Sequence, residues 1–196
     1  MGESARPTSP VRMADGCAGS VRGDEAAALR GSKARLAMIR GPATEWAMRN
    51  RGVPGTYVLV VSLAHDGDIV VGALGRLSFE AGYYLYVGSA LGGLGARIGR
   101  HLRTRKRLRW HIDYLLACGS VRDIWYRASP DRQECVWARA LARLPGVEGF
   151  GVGFGASDCS CRTHLFYSRV RPDPVAFKTL LPGQPCLGWF RVQGPW

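Results

Sequence analysis

Two tyrosines beside glycines are the first residues in this chain whose types and spacing suit chemistry. Tyr57 lies in GTYVLVV, residues 55–61, and Tyr86 in GYYLYVGSA, residues 82–90. Both runs read as buried strands, and Gly55 and Gly88 leave room for another backbone or a ligand to come close. A phenol in such a place is either a core residue with a wet hydroxyl or a group that handles a proton. Downstream, Arg97 and His101 stand four residues apart and are neighbours on one side of a helix. They flank the apolar stripe of Leu91, Leu94, Ile98 and Leu102, which puts them near the sheet margin. Glu134 aligns with Ala138 and Leu141 on an otherwise inward helix face. A carboxylate there is costly unless it pairs with a cation or ligates a metal. It reads as an active-site or metal residue, with an ion pair to an arginine as the alternative.

The densest basic run, RHLRTRKRLR, contributes Arg100, Arg103, Arg105, Lys106, Arg107 and Arg109. With a net charge of +12, it points to a polyanionic partner, nucleic acid above all, because each phosphate contact releases counterions. Such contacts position a strand without reading its sequence. SDCSCRTH supplies three soft ligands, Cys159, Cys161 and His164, with Cys135 or Cys118 as a fourth. The Cys-x-Cys-x-x-His spacing is not that of a standard finger, so packed thiols and a hydrogen-bonded histidine are expected and zinc is not. His111 and Asp113 sit two apart in WHIDYLL and face different directions, which suggests separate structural roles, with a place near the phosphate as the alternative for His111.

The elements that must position these residues follow from periodicity and punctuation. Strands are expected over 55–63, in IVVGAL after an Asp-Gly turn, and in YYLYVGS, making an antiparallel meander. A helix then runs from Leu91, WHIDYLL makes a second, and VRDIWYR returns as a strand. Ser129-Pro130-Asp131 reads as a helix start, with Ser129 as cap and the helix reaching about Leu144. THLFYSRV is the last strand, and the whole is an α+β domain. With 196 residues there is room for one domain and tails. Residues 1–50, rich in Gly, Ser, Ala and Arg, read as a disordered basic extension. Residues 51–170 read as the folded domain, and 171–196 as a proline-rich tail from which Trp189 and Phe190 dock back. Six scattered cysteines without a secretory leader suggest a soluble protein of the reducing cytoplasm. No apolar run approaches the roughly 18 residues of a membrane span.

GTY at 55–57, YVG at 86–88, Arg97 and His101 on the next helix, and a glutamate on a later one resemble the GIY-YIG nuclease superfamily. The chain is most similar to its small prokaryotic Uri-type endonuclease-like family. GALGRLSFEAGYYLYVGSALGGL, WHIDYLL and FGASDCSCRTHLFY carry that likeness, which covers about 55–170. Some members of that family are extensions of glycosylases of the endonuclease III kind. The resemblance implies a three-stranded antiparallel sheet flanked by helices, here with an additional C-terminal strand. It implies an endonuclease hydrolysing DNA phosphodiesters, DNA rather than RNA, directed by substrate structure, with a DNA-repair protein as partner. Tyr57 would orient or deprotonate the water, Tyr86 support water or phosphate, and His101 share the base role. Arg97 would stabilise the pentacovalent charge, and Glu134 would hold one Mg²⁺ or Mn²⁺ through oxygen. Many members carry a late asparagine. This chain has only Asn50, leaving Ser157 or Asp158 to stand in. That departure keeps a non-catalytic nucleic-acid-binding module on the same scaffold as the alternative.

Overall fold

The structure, a computed structural model, describes residues 42–181, 183 and 186–192. Strand β1 (Gly55–Leu63) organises it. Val58, Leu59, Val60 and Val61 are all fully buried, so the strand is apolar on both faces and must lie in the middle of a sheet. It pairs antiparallel with β4 (Gly82–Ala90) on one side and β5 (Ser120–Ala128) on the other. Beyond β4 come β7 (Leu165–Ser168) and the two-residue β6 (Glu148–Gly149), and beyond β5 comes β8 (Gly188–Arg191). The sheet therefore has six strands in the order β6-β7-β4-β1-β5-β8.

The α+β class is as expected, but a three-stranded sheet is not what forms. The expected meander fails at its second strand. Strand β2 (Gly67–Val70) pairs only with β3 (Arg76–Phe79), as a separate hairpin. Of β2 only Ile69 is buried, and Asp68 accepts hydrogen bonds across the pair from Ser78 and Arg76, so the hairpin is half solvated. The place beside β1 goes to β4, whose nine residues match its length and pair with it from end to end. Asp66 does not turn β1 into β2; its carboxylate accepts the Ala81 N–H and closes the base of the hairpin.

Strand alternation divides the core in two. Tyr57, Leu59 and Val61 face α1 (Pro42–Arg49), α2 (Leu94–His101) and α3 (His111–Cys118), meeting Trp46, Leu94, Ile98, Ile112 and Leu115. Val58, Val60, Leu85, Val87 and Trp125 face α4 (Glu134–Leu141) and α5 (Pro174–Thr179), meeting Trp137, Leu141 and Phe177. Helices thus cover both faces, and the ends of β1 and β4 lie where the two layers meet.

Three boundaries move. The extension expected over 1–50 lies outside the described residues as far as 41, but its last part is α1, docked by Trp46 against Tyr126 and Phe190 at ring distances of 4.5 and 5.0 Å. The tail expected over 171–196 includes an ordered helix and an edge strand. Arg171 grips Asp123 at 2.6–2.9 Å, Asp173 caps α5, and Phe177 is fully buried. Phe190 packs inward as expected, whereas Trp189 stays exposed. Helix α4 begins at Glu134, not at Ser129, whose hydroxyl instead accepts the Asp131 N–H in a local turn. Among the described residues no helix is long and apolar enough to cross a membrane.

Candidate active site

Strand pairing sets the site's first feature. The β1–β4 register puts Tyr57 opposite Gly88, and a Cβ at Gly88 would lie 2.5 Å from the Tyr57 hydroxyl and 2.7 Å from its ring. The phenol lies across its partner strand because that partner has no side chain. From there its hydroxyl reaches α2 and hydrogen-bonds His101 Nε2 at 2.9 Å.

His101 is 2% exposed, and burial drives its pKa down to about 3, against the pull of the Asp113 carboxylate and with Lys106, Arg97 and Arg100 pushing further down. A neutral ring has one accepting nitrogen, and with its proton on Nδ1, the nitrogen nearer Asp113, Nε2 is free to accept the Tyr57 O–H. Nδ1 lies 3.9 Å from Asp113 Oδ1. Asp113 is itself fully buried. Burial raises its carboxyl, but the Arg100 guanidinium at 2.8 and 2.9 Å and the N–H groups of Arg109 and Trp110 outweigh that and hold it below the usual range. Tyr57, His101 and Asp113 thus form a line from the pocket into the core.

The pocket is about 400 Å³, and its lining includes Tyr57, Tyr86, Arg97 and Glu134. Burial pushes both phenols well above their ordinary value; Glu134 and Asp113 add to that, and the Arg97 charge opposes it. Arg97 stacks on Trp110 at 4.4 Å and, among the described residues, has no carboxylate at ion-pair distance, so its charge is available to an anion. Glu134, 8% exposed, sits in the first turn of α4, 3.4 Å from Arg132 Nε. The ion pair weighed in the sequence exists, but it lies inside the pocket beside the phenols.

Five expected residues are therefore together: Tyr57, Tyr86, Arg97 and Glu134 on the pocket wall and His101 directly behind Tyr57. The basic run divides. Arg103, Arg105, Arg107 and Arg109 are exposed, and Arg109 reaches the pocket wall. Arg100 is an anchor, held by Asp113, stacked on Trp110 at 4.0 Å and bonded to the Arg107 carbonyl. Half-buried Lys106 donates to the His101 carbonyl at the end of α2, and burial lowers its pKa.

Both stand-ins for the late asparagine, Ser157 and Asp158, line the pocket, and Asp158 pairs with Arg132 at 2.9 Å. His111 lines it too, its Nδ1 accepting the Gly155 N–H at 3.2 Å, which leaves Nε2 as the protonated nitrogen. Arg132 and Trp110 went unforeseen. Arg132 precedes α4 and belongs to no periodic face, while Trp110, read as the first residue of the WHIDYLL helix, is its N-cap, and neither position carried a signal for the site.

One expectation is overturned. Cys135, Cys159, Cys161 and His164 bring their ligand atoms within 4.8 Å of one another, a Cys₃His set compatible with zinc. Spacing along the chain misled because the fourth ligand is Cys135, delivered by the first turn of α4, while the other three share one loop. Cys118 takes no part in the group.

The model of a family described as "Domain of unknown function DUF123" matches residues 56–181. The chain belongs to that family. In this DUF123 chain the matched stretch runs from the second residue of β1 to just past α5 and contains all the pocket residues and the Cys₃His group. No curated protein and no solved structure matches the chain.

Proposed function

We propose that the protein is a GIY-YIG-type endonuclease that hydrolyses DNA phosphodiesters with one Mg²⁺ or Mn²⁺. The observation that carries this reading is the convergence of Tyr57, Tyr86, Arg97 and Glu134 on one pocket, with His101 bonded to Tyr57. The oxygen-rich wall fits a hard cation: Glu134 offers a carboxylate, Asp158 a second, and the open volume leaves space for waters and phosphate oxygens. Glu134 would hold the ion, which when bound supplies charge relief to the phosphate oxygens.

The chain's own residues divide the remaining work. Arg97 grips the phosphodiester through two nitrogens and stabilises the charge that builds on phosphorus oxygens in the transition state. Tyr57 takes a proton from the attacking water as it hands its own to His101 Nε2. The resulting imidazolium lies beside Asp113, whose charge favours it over the neutral ring that burial keeps in the free protein. The water oxygen forms the new bond to phosphorus, the P–O3′ bond breaks, and the departing oxygen takes a proton from solvent. Tyr86 holds the water or phosphate on the opposite strand. Arg103, Arg105, Arg107 and Arg109 track the backbone outside the pocket.

A second reading, a nucleic-acid-binding module without turnover, is favoured by one observation: Tyr57 is only 1% exposed, deeper than a base that meets bulk water. The two part on one experiment. Duplex, nicked, branched and single-stranded DNA and matching RNA are incubated with and without Mn²⁺. Metal-dependent cleavage that falls at least about a hundredfold in Glu134→Ala, with binding retained, supports the nuclease. Salt-sensitive binding with no cleavage of any substrate overturns it.

A further inference from the structure

We infer that Cys135, Cys159, Cys161 and His164 bind one structural Zn²⁺, and that this ion fixes Glu134 in the pocket. A tetrahedral zinc with three thiolates and one imidazole needs sulfur–nitrogen separations of about 3.5 Å and sulfur–sulfur separations of about 3.8 Å, from bond lengths near 2.3 and 2.0 Å. His164 Nε2 lies 3.5 Å from Cys159 Sγ and 3.9 Å from Cys135 Sγ, and the whole set spans no more than 4.8 Å. Four protein ligands leave no open position, which is the arrangement of a structural site.

The surroundings suit a metal as well. His164 is packed closely into its loop, where a Cβ at Gly155 would lie 3.3 Å from the His164 Cβ. The loop carrying three ligands is held by backbone bonds from Gly153 N–H to the Arg162 carbonyl and from His164 N–H to the Phe154 carbonyl. Thr163 Oγ1 ties it further to the Phe150 carbonyl at 2.7 Å.

Position gives the ion its consequence. Cys135 follows Glu134 in the first turn of α4, while Gly155, Ser157 and Asp158 come from the loop that holds the other ligands. A bound ion staples these two walls of the pocket together, beside the Arg132 bridge to Glu134 and Asp158. That arginine side chain is 56% exposed, so its ion pairs are a weak constraint beside four metal bonds. Zinc binding does not require the pocket to be a nuclease; the effect on cleavage rests on that reading.

The test uses the full chain, purified without chelator. Metal analysis is expected to find stoichiometric zinc, and exchange with Co²⁺ to give the visible d–d and thiolate charge-transfer bands of a tetrahedral sulfur-rich site. Cys161→Ser should retain less than about a tenth of the wild-type metal, while Cys118→Ser and Cys186→Ser retain it all. A metal-free wild type with no Co²⁺ bands, or zinc held equally by Cys161→Ser, overturns the proposal. Where Cys161→Ser does not fold, zinc is stripped from folded wild type, and Cys135, Cys159 and Cys161, mapped by mass spectrometry, should become open to alkylation only then; these three already open with zinc present also overturn it. Mn²⁺-dependent cleavage should drop at least about tenfold on stripping and return with zinc. Zinc bound without any cleavage would sink the nuclease and leave the metal site standing; Glu134-dependent cleavage by a zinc-free chain would do the reverse.

Discussion

Tyr57 and His101 are both withdrawn from water and answer each other with one 2.9 Å bond, so the protonation of either depends on the other. His101 has a testable signature of its own. Its folded pKa of about 3 lies below the ordinary 6.5, so the unfolded chain takes up a proton that the folded chain refuses. The stability gained by keeping the ring neutral is complete above pH 6.5 and is lost as pH falls toward 3. The groups that face the ring and set this balance are Asp113, Lys106, Arg97 and Arg100, together with Tyr57. Urea unfolding at pH 7 and pH 5 should show wild type losing about 2 kcal/mol more than His101→Asn, since a single linked proton is worth about 1.4 kcal/mol per pH unit. His111 and His164, also lowered by burial, contribute equally to both proteins and cancel. Equal losses would mean that His101 is not the buried neutral base described here.

At the scale of elements, the site depends on two strands in register. Gly88 is where β4 makes room for the phenol on β1. Gly88→Ala should displace the Tyr57 hydroxyl by about 1 Å and cost about 1–3 kcal/mol of stability, with cleavage down about a hundredfold. Gly92→Ala, whose added carbon meets nothing within 4 Å, should change neither. Thermal unfolding and single-turnover rates on the two variants decide this, and a normal rate in Gly88→Ala would mean that Tyr57 does not act from this position. Much of this was legible in the sequence: β1, β4, β5 and α3 carry periodic apolar patterns long enough to declare themselves, and Glu134 stood out as a charge on an apolar face. The hairpin of β2 and β3 did not. Its Asp-Gly pair resembles a turn between sheet neighbours, and only the competition with the better-matched β4 for the flank of β1 excludes it. Trp46 and Phe177 were also missed, because each anchors a short helix whose propensity is weak and whose reason to form is the tertiary surface it covers. The members of the Cys₃His group were named in the sequence but zinc was set aside, since a non-standard spacing gives no sign that Cys135 is their neighbour in space.

At the scale of the whole molecule, exposed arginines lie beside a pocket whose Arg97 has no ion pair among the described residues and whose Glu134 is buried. Of the basic run, Arg103, Arg105 and Arg107 are exposed and outside the pocket, so they are the residues to remove without touching the chemistry. Replacing all three by alanine should weaken nucleic-acid binding across every substrate and lower the slope of log affinity against log salt by about 3, about one per lost phosphate contact. An unchanged slope, read by fluorescence anisotropy over a salt series, would place the binding surface elsewhere. The central claim is that Tyr57 moves the proton of the attacking water, and Tyr57→Phe tests it most directly by removing one oxygen and leaving the ring across Gly88. Single-turnover cleavage with Mn²⁺, measured with binding on the same substrate, should fall at least about a hundredfold while affinity stays the same. Cleavage at the wild-type rate would contradict the account.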